Sequence, residues 1–231
     1  MTPLGAADYA AIALSLKVAG VATLCALPFA FLAALALARG KFAWRVALDS
    51  LVTLPLVLPP VATGYALLLL FGRRGPIGAA LAEVGIVFAF DWTGAALASA
   101  IMAFPLMVRP MRVALEAIDR EVDEAAVTLG AARWVRLVRI TVPLTFPGIA
   151  AAAILGFAKA LGEFGATITF VAAIPGETLT LPSAIYGAVQ NPGDEGRALT
   201  LCVAAAVLAV GAVVAADAVS RLALRVARGG R

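Results

Sequence analysis

Lys159 and Glu163 are the ionisable residues that lie deepest within an apolar stretch of this chain. A helix that enters a membrane at Pro147 and rises about 1.5 Å per residue places Lys159 about 18 Å and Glu163 about 24 Å into a hydrocarbon core about 30 Å thick. Charged groups at that depth are costly and usually face a cavity or a partner. Because the two residues are spaced i, i+4, they can pair on one helix face. Two interpretations remain open: an ion pair that fixes the helix, or a polar point on a path through the membrane.

If these residues line a path, the path must bind its ion weakly, because a strong fixed charged site would retain the ion. We therefore expect hydroxyl groups and backbone dipoles to line the path, with the charge of Lys159 largely neutralised by Glu163. Side chains from two further regions, around 63–65 and 183, are assigned to the outer half of the path. The candidate path residues are Lys159, Glu163, Thr167, Thr169, Thr63, Tyr65 and Ser183.

The residue types that catalysis requires are missing or isolated. The chain has no His, which is the commonest general base and metal ligand. Cys25 and Cys202 lie far apart inside apolar runs and are predicted to be small buried hydrophobes, not metal ligands or a disulfide. Neither a nucleophile–base constellation nor a GxxxxGKS/T phosphate loop occurs. We therefore predict no catalytic, metal or cofactor site, which disfavours a membrane-embedded hydrolase, and any ATP must be used by another chain.

The elements that must position these residues are membrane helices. The chain is 63% hydrophobic and 14% charged, with a mean hydropathy of +1.01, so we predict an all-α integral membrane protein. Its 231 residues allow five or six spans of roughly 20 residues. Segment 76–90 is short and contains Glu83, so it is predicted to lie at the interface or to dip part-way into the membrane. The five transmembrane helices are predicted at about 12–38, 47–71, 92–108, 147–172 and 198–220.

The basic residues predict the orientation of these spans. With five spans, the N-terminus outside and the C-terminus in the cytoplasm, most of the 18 Lys and Arg residues become cytoplasmic, as the positive-inside rule requires. The outer side holds only Arg73, Arg74 and Arg197. Lys17 lies within the first apolar run, so this span is predicted to be uncleaved. The cytoplasmic segments 39–46, 109–146 and 221–231 carry Arg39, Lys41, Arg45, Arg109, Arg112, Arg120, Arg133, Arg136, Arg139, Arg221, Arg225, Arg228 and Arg231.

The longest polar interruption contains the sequence EAAVTLGAARWVRLVRITVP at 124–143. Glu-Ala-Ala at its start is followed by three residues, Gly130, nine residues and the sequence Ile-Thr-Val-Pro. This pattern resembles the EAA loop of ABC-importer permeases, with one departure, Val142 where Leu is usual. In that family the loop forms a pair of short cytoplasmic helices that occupy a cleft of a separate ATPase subunit.

The residue types suit such a contact, although they also fit an Ala-rich surface helix with a Gly cap. Alanines allow a partner to approach closely, and Glu124 offers a carboxylate to a partner's Arg or Lys. Gly130 is predicted to end a helix in the left-handed conformation, and Pro143 to begin the helix that re-enters the bilayer. Within the cytoplasmic loop 121–143, the resemblance assigns the ATPase contact to Glu124, Ala125, Ala126, Leu129, Gly130, Ala131, Ile140 and Pro143.

Further stretches resemble one branch of this family. They are PLVLPPVATGY at 55–65, FPLMVR at 104–109, GEFGAT at 162–167 and TLPSAIY at 180–186, which together are similar to the membrane subunit of the bacterial molybdate ABC importer. The resemblance implies a type I ABC importer permease fold over residues 11–220. Permeases for tungstate and sulfate are the nearest alternatives.

The resemblance also implies partners and a location. The partners are a second copy of the chain, two cytoplasmic ATPase subunits that use ATP and Mg, and a periplasmic binding protein that delivers the oxyanion. The location is the inner membrane of a bacterium, and no nucleic acid is involved. A secondary anion transporter that works without ATP is the alternative from another class. It would predict repeated halves and discontinuous paired helices, neither of which the sequence displays.

Overall fold

The computed structural model describes residues 3–40 and 44–229, and it describes their side chains except at 120, 123 and 216–229. The predicted segments 39–46 and 221–231 therefore lie partly outside the described residues. All regular structure in the described residues is helical, which confirms the all-α class. The helices are α1 (Ala6–Arg39), α2 (Arg45–Val57), α3 (Pro60–Phe71), α4 (Pro76–Glu83), α5 (Trp92–Glu116), α6 (Arg120–Thr128), α7 (Arg133–Arg136), α8 (Val142–Leu161), α9 (Gly165–Val171), α10 (Leu181–Gln190) and α11 (Glu195–Gly229).

Four of the described helices are long and apolar enough to cross a membrane. They are α1, α5, the helix that runs from Arg133 to Leu161, and α11 as far as Ala215. A fifth crossing is present if α2 and α3, which are bent by 112°, count as one broken span. Long helices that expose apolar side chains need lipid as their solvent, so the chain is an integral membrane protein.

Small residues allow α1, α5 and α8 to pack closely at the centre of the bundle. Ala30 and Ala34 of α1 are fully buried in one cluster with Met107 of α5. On α8, a Cβ at Gly156 would lie 2.7 Å from the Met107 side chain, and one at Gly148 would lie 2.7 Å from a backbone carbonyl oxygen of α5. Small residues are typical of such contacts because close approach supplies the dispersion energy that holds membrane helices together.

The predicted span 47–71 is not one helix. It divides between Val57 and Pro60 into α2 and α3. The helix breaks because Pro59 and Pro60 have no N–H groups with which to continue α2, and Pro60 instead begins α3.

The predicted span 147–172 is also broken. Helix α8 ends at Leu161 with Gly162 as its cap, and α9 begins at Gly165. One helix was expected here because the run is mainly apolar, although two glycines flank the break. The described chain therefore contains two discontinuous helices, which sequence reasoning had expected only of a secondary transporter.

Two contacts on α1 mark levels that are one membrane thickness apart. Arg39 donates to Thr141 Oγ1 at 3.3 Å, and the Lys17 Nζ lies 3.5 Å from the centre of the Trp92 ring. Lysine and tryptophan are typical of membrane interfaces. Lys17 and Arg39 are 22 positions apart, or about 33 Å along a helix, which matches a hydrocarbon core of about 30 Å. The spacing of Lys17 and Arg39 therefore matches the distance between the two boundaries of a membrane.

The segment 76–90 contains one short helix, α4, of eight residues. Such a helix is about 12 Å long, less than half the thickness of the hydrocarbon core. The segment therefore does not form a sixth continuous spanning helix, in agreement with the prediction.

The two cysteines are not buried. Cys25 and Cys202 are both exposed on the surface of their helices, so the prediction that they are buried hydrophobes was wrong. An apolar run in a membrane helix does not identify its buried face, because the lipid-facing side is as apolar as the core.

Candidate functional site

The helix that carries the Glu-Ala-Ala sequence, α6, ends in a fully bonded turn. Gly130 has a φ of +76°. The Ala131 N–H donates to the Ala126 carbonyl at 3.0 Å, and the Gly130 N–H donates to the Val127 carbonyl at 2.9 Å. These crossed bonds form the Schellman arrangement, which a left-handed residue closes. The predicted left-handed helix end at Gly130 is therefore confirmed.

Most of the predicted ATPase-contact residues lie on the surface of this segment. The exposed residues are Glu124, Ala125, Leu129, Gly130 and Pro143, and the half-buried ones are Ala131 and Ile140. Leu129 is 86% exposed, whereas Ala126 is only 7% exposed. The methyl group of Ala126 packs within the chain, so it supports the helix and does not offer a surface to a partner.

Sequence analysis missed two apolar side chains on the same segment. Trp134 is 72% exposed and Val127 is 54% exposed. Together with Leu129 they form what we call the coupling tip, the three most exposed of the large apolar side chains on this segment. Apolar groups exposed in this way mark sites of protein contact. The available signal was a tryptophan placed between Arg133 and Arg136.

Pro143 was predicted to begin the helix that re-enters the bilayer, but it lies inside a longer helical run. Helical structure starts at Arg133 and continues through a π-helical turn, Leu137–Thr141, into α8. In this wide turn the Val142 N–H donates to the Leu137 carbonyl. The helix passes Pro143 without a break because the wider turn moves the backbone away from the proline ring.

We expect Gly130→Val to impair transport more than Gly130→Ala. Any L-residue at this φ costs about 1–2 kcal/mol, and β-branching adds strain at a positive φ. Initial uptake rates in membrane vesicles, normalised to the amount of inserted protein, would measure the difference. Gly130→Asn is the control, because Asn tolerates the left-handed region. Equal rates in the Ala and Val variants would rule out a functional requirement for this turn.

Lys159 and Glu163 are paired across the break between α8 and α9. The Lys159 Nζ lies 2.5 Å from Glu163 Oε2, and the Ala166 N–H donates to Glu163 Oε1 at 3.0 Å. The Glu163 side chain is 1% exposed, whereas that of Lys159 is 28% exposed. Glu163 therefore ties the last turn of α8 to the first turn of α9, and only the lysine reaches accessible space.

The two broken helices cross at backbone contact. A Cβ at Gly64 of α3 would lie 2.4 Å from the Ala166 carbonyl oxygen, and one at Gly165 would lie 2.7 Å from Pro60 Cβ. Next to Gly64, the Thr63 hydroxyl is buried and has no hydrogen-bond partner in the structure. The start of α3 and the start of α9 therefore form one closely packed unit. Glu163 holds the α9 part of this unit through the Ala166 N–H. We call this unit the helix crossing.

The other predicted path residues are only partly gathered there. Thr169 donates its hydroxyl to its own helix, as does Thr167, which bonds the Phe164 carbonyl at 2.9 Å. Ser183 pairs with the hydroxyl of Thr180, the residue that precedes α10, 3.1 Å away. Tyr65 is 55% exposed. Sequence analysis missed that α10 reaches the break through Tyr186, whose ring centre lies 5.0 Å from that of Phe164.

The ion pair lies far along its helix from the contact between Thr141 and Arg39. Lys159 is 18 positions beyond Thr141, which is about 27 Å along a helix. Leu161 lies in one buried cluster with Ala19 of α1, which is two residues from Lys17 in sequence.

A network of ion pairs joins α5 to α2 close to α6. Arg112 Nε lies 2.9 Å from Glu116 Oε1, and Arg112 Nη1 lies 3.2 Å from Asp49 Oδ1. Arg45 Nη2 reaches the same Glu116 oxygen at 3.4 Å. Partly exposed pairs of this kind contribute about 1 kcal/mol or less each. These pairs align the two helices, because they fix the end of α5 against the start of α2.

Broken membrane helices that cross at backbone contact are typical of membrane transport proteins. Residues 26–224 match the family described as the inner membrane component of binding-protein-dependent transport systems. The chain belongs to this family.

Relatives and solved structures agree with this assignment. The chain is 51% identical to the molybdenum transport system permease protein ModB of Escherichia coli K12, over 93% of this chain and 94% of that protein. It is 48% identical to the protein of the same name from Haemophilus influenzae, over 88% and 89% of the two chains. A bacterial ABC transporter that imports alginate shares the fold, with a TM-score of 0.74 at 23% identity over 94% of this chain and 80% of the other.

Proposed function

We propose that this chain is the permease subunit of an ATP-driven molybdate importer in a bacterial inner membrane. The coupling to ATP rests on one observation, the exposed coupling tip beside the rigid left-handed turn at Gly130. The substrate assignment is supported by relatives that are named for molybdenum transport. Tungstate and sulfate, which are oxyanions of the same shape and charge, are the alternatives. The chain itself has no ATPase site, and binding of ATP and Mg belongs to its partners.

The proposed topology has five crossings, with the N-terminus periplasmic and the C-terminus cytoplasmic. The pair α2 and α3 forms the second, broken crossing. Most of the basic residues then lie in the cytoplasm, in support of this orientation. The level of Arg39 becomes the inner boundary and that of Lys17 the outer one, so the helix crossing lies in the outer half of the membrane.

The proposed complex contains two copies of this chain, two cytoplasmic ATPase subunits and a periplasmic binding protein. Each coupling tip contacts one ATPase subunit. Motion of α6 acts on α5 through the three residues that precede it, and on α8 through the continuous helix that starts at Arg133. The ion pairs of Arg112 carry the motion of α5 to α2. Closure of the ATPase subunits would thus move both broken helices together, as alternating access requires.

The helix crossing is the proposed gate of the path. The partly exposed ammonium of Lys159 faces the passing anion, and Glu163 lowers its effective charge so that the anion is not retained. Glu163 also holds the start of α9 in place. The proposed path comprises Lys159, Glu163, Thr167, Thr169, Thr63, Tyr65 and Ser183.

Glu124→Ala tests the coupling contact. Glu124 is exposed, and we expect its removal to lower uptake several-fold with near-normal membrane insertion, because a charge-assisted bond to the partner is worth about 1.5–3 kcal/mol. Uptake by proteoliposomes and stimulation of the partner's ATPase activity are the two measurements. Glu121→Ala, which removes the same charge from the same helix, is the control. If Glu124→Ala leaves both measurements unchanged, the proposed contact is wrong.

The two discontinuous helices also favour a second candidate, a secondary anion transporter, because such helices form the sites of many of these proteins. The two candidates differ in their requirement for ATP. Proteoliposomes that contain the chain with its ATPase subunits should take up molybdate only when ATP is present inside. Uptake driven by an ion gradient without the ATPase subunits would support the second candidate.

A further inference from the structure

The turn between α3 and α4 presents two arginines on a rigid backbone. The Gly75 N–H donates to the Gly72 carbonyl at 2.8 Å, so Arg73 and Arg74 are the central residues of a closed turn. A Cβ at Gly72 or at Gly75 would lie 2.4 Å from a carbonyl oxygen of α3. The turn is therefore packed backbone against backbone, and the two exposed side chains start from a fixed base.

Within the described part of the chain, neither of these arginines has a carboxylate partner. The other arginine assigned to this side, Arg197, differs in this respect, because its Nη2 lies 2.6 Å from Asp8 Oδ1. The loop residues Ala89 and Phe90 face this turn across a pocket. The carboxylate next to them, Asp91, accepts bonds of 2.8 and 2.5 Å from the first turn of α5. The turn therefore carries two guanidinium groups that no carboxylate neutralises.

Both arginines line a pocket of about 380 Å³ whose other walls are mainly apolar. Leu68, Leu69 and Phe90 contribute to these walls. Phe90 has a φ of +61°, in a region that bulky residues rarely adopt, so the loop that closes the pocket is held in an unusual conformation. Trp92, two residues further on, contacts Lys17, and both residue types are typical of membrane interfaces.

We propose that this Arg73–Arg74 pocket binds a tetrahedral oxyanion group. Guanidinium groups match the paired oxygens of such a group with bidentate hydrogen bonds. The group can come from two sources. One is the free oxyanion on its way to the helix crossing, and this source rests on the proposed function. The other is the phosphate of a phospholipid whose acyl chain follows the apolar walls, and this source requires only that the pocket lies at the membrane boundary.

The variant for the test is Arg73→Gln with Arg74→Gln, in the complete complex with its ATPase subunits. Both side chains are exposed, so their replacement should not prevent folding, and normal basal ATPase activity would verify assembly. Lys17→Gln is the control, because it removes a positive charge at the same boundary without altering the pocket lining. Arg73→Lys with Arg74→Lys keeps the charge but removes the bidentate geometry.

The phospholipid is tested in vesicles of phosphatidylglycerol and phosphatidylethanolamine. After mild extraction, native mass spectrometry counts the phosphatidylglycerol molecules that remain bound. If a lipid is the source, the native complex should retain at least one more per permease chain than the double Gln variant, and Lys17→Gln should match the native complex.

The free oxyanion is tested in vesicles of phosphatidylcholine alone. Initial uptake rates are measured against the concentration of molybdate-loaded binding protein. If the oxyanion is the source, the double Gln variant should need about fivefold to tenfold more loaded binding protein for half-maximal rate, with the maximal rate unchanged. The double Lys variant should lie in between.

Loss of bound phosphatidylglycerol would support the pocket and identify a phospholipid as its ligand. A higher half-maximal concentration of loaded binding protein would support the pocket and identify the free oxyanion. If the double Gln variant behaves as the native complex in both tests, the proposal is overturned. It is also overturned if unloaded binding protein loses affinity by the same factor, since the arginines would then contact that protein. Absence of uptake by the native complex would instead contradict the proposed function, and the lipid count would still be informative.

Discussion

Glu163→Ala should abolish most uptake and lower the thermal stability of the complex. The carboxylate that it removes is 1% exposed and accepts bonds from both Lys159 and Ala166. Its loss leaves a half-buried ammonium without a partner and frees the start of α9. Breaking a buried pair on one side costs about 3–5 kcal/mol. Because Lys159 is partly exposed, we expect about 2–4 kcal/mol here. Uptake should fall at least tenfold, and the unfolding midpoint in detergent should fall with it.

A double variant separates the structural role of this pair from its role in the path. Lys159→Met with Glu163→Gln removes both charges and keeps an acceptor for the Ala166 N–H, so the unfolding midpoint should recover. Uptake should stay reduced about tenfold, since the partly exposed positive charge is lost. Full recovery of uptake would mean that the pair is purely structural. Failure of the midpoint to recover would mean that the charges stabilise α9 by contacts other than those seen.

Gly64→Ala should lower uptake nearly as much as Glu163→Ala, although it adds only one methyl group. The new Cβ would lie 2.4 Å from the Ala166 carbonyl oxygen and 2.9 Å from its Cα. Backbone atoms on both sides cannot turn away, so α3 and α9 must separate. Overpacking of this kind costs about 1–3 kcal/mol, and it displaces the proposed gate. We expect a loss of uptake of at least tenfold, measured in proteoliposomes.

Gly20→Ala is the matched control for this substitution. Gly20 also lies inside a membrane helix, but a Cβ there would have no atom within 4 Å. Alanine is favoured over glycine in a helix by up to about 1 kcal/mol, so this variant should be as stable as the native chain or slightly more stable. If Gly64→Ala transports as well as Gly20→Ala, close approach at the helix crossing has no functional importance.

The features that sequence predicted correctly are those set by local chemistry. The apolar composition predicted a helical membrane protein, and Gly130 predicted a left-handed helix end. The i, i+4 spacing of Lys159 and Glu163 predicted their pairing, which the structure contains. Each of these depends on residues within one or two helical turns of one another.

The features that sequence did not predict depend on contacts between distant segments. The break after Leu161 is stabilised by Glu163 and by contact with α3, so the apolar run itself gave no indication of it. The burial of Ala126 and the exposure of Cys25 follow from which helix face meets a neighbour. In a membrane protein the apolar pattern does not report that face, because lipid and core are chemically alike.

The π-helical turn Leu137–Thr141 has a consequence for everything that follows it in α8. A wide turn inserts one extra residue, and each residue of an α-helix corresponds to a rotation of about 100°. The azimuth of α8 is therefore set where the helix begins, and it decides that Gly148 and Gly156 are directed at α5. Deleting one residue from the wide turn would leave the composition of the span almost unchanged but would rotate both glycines off their contact line.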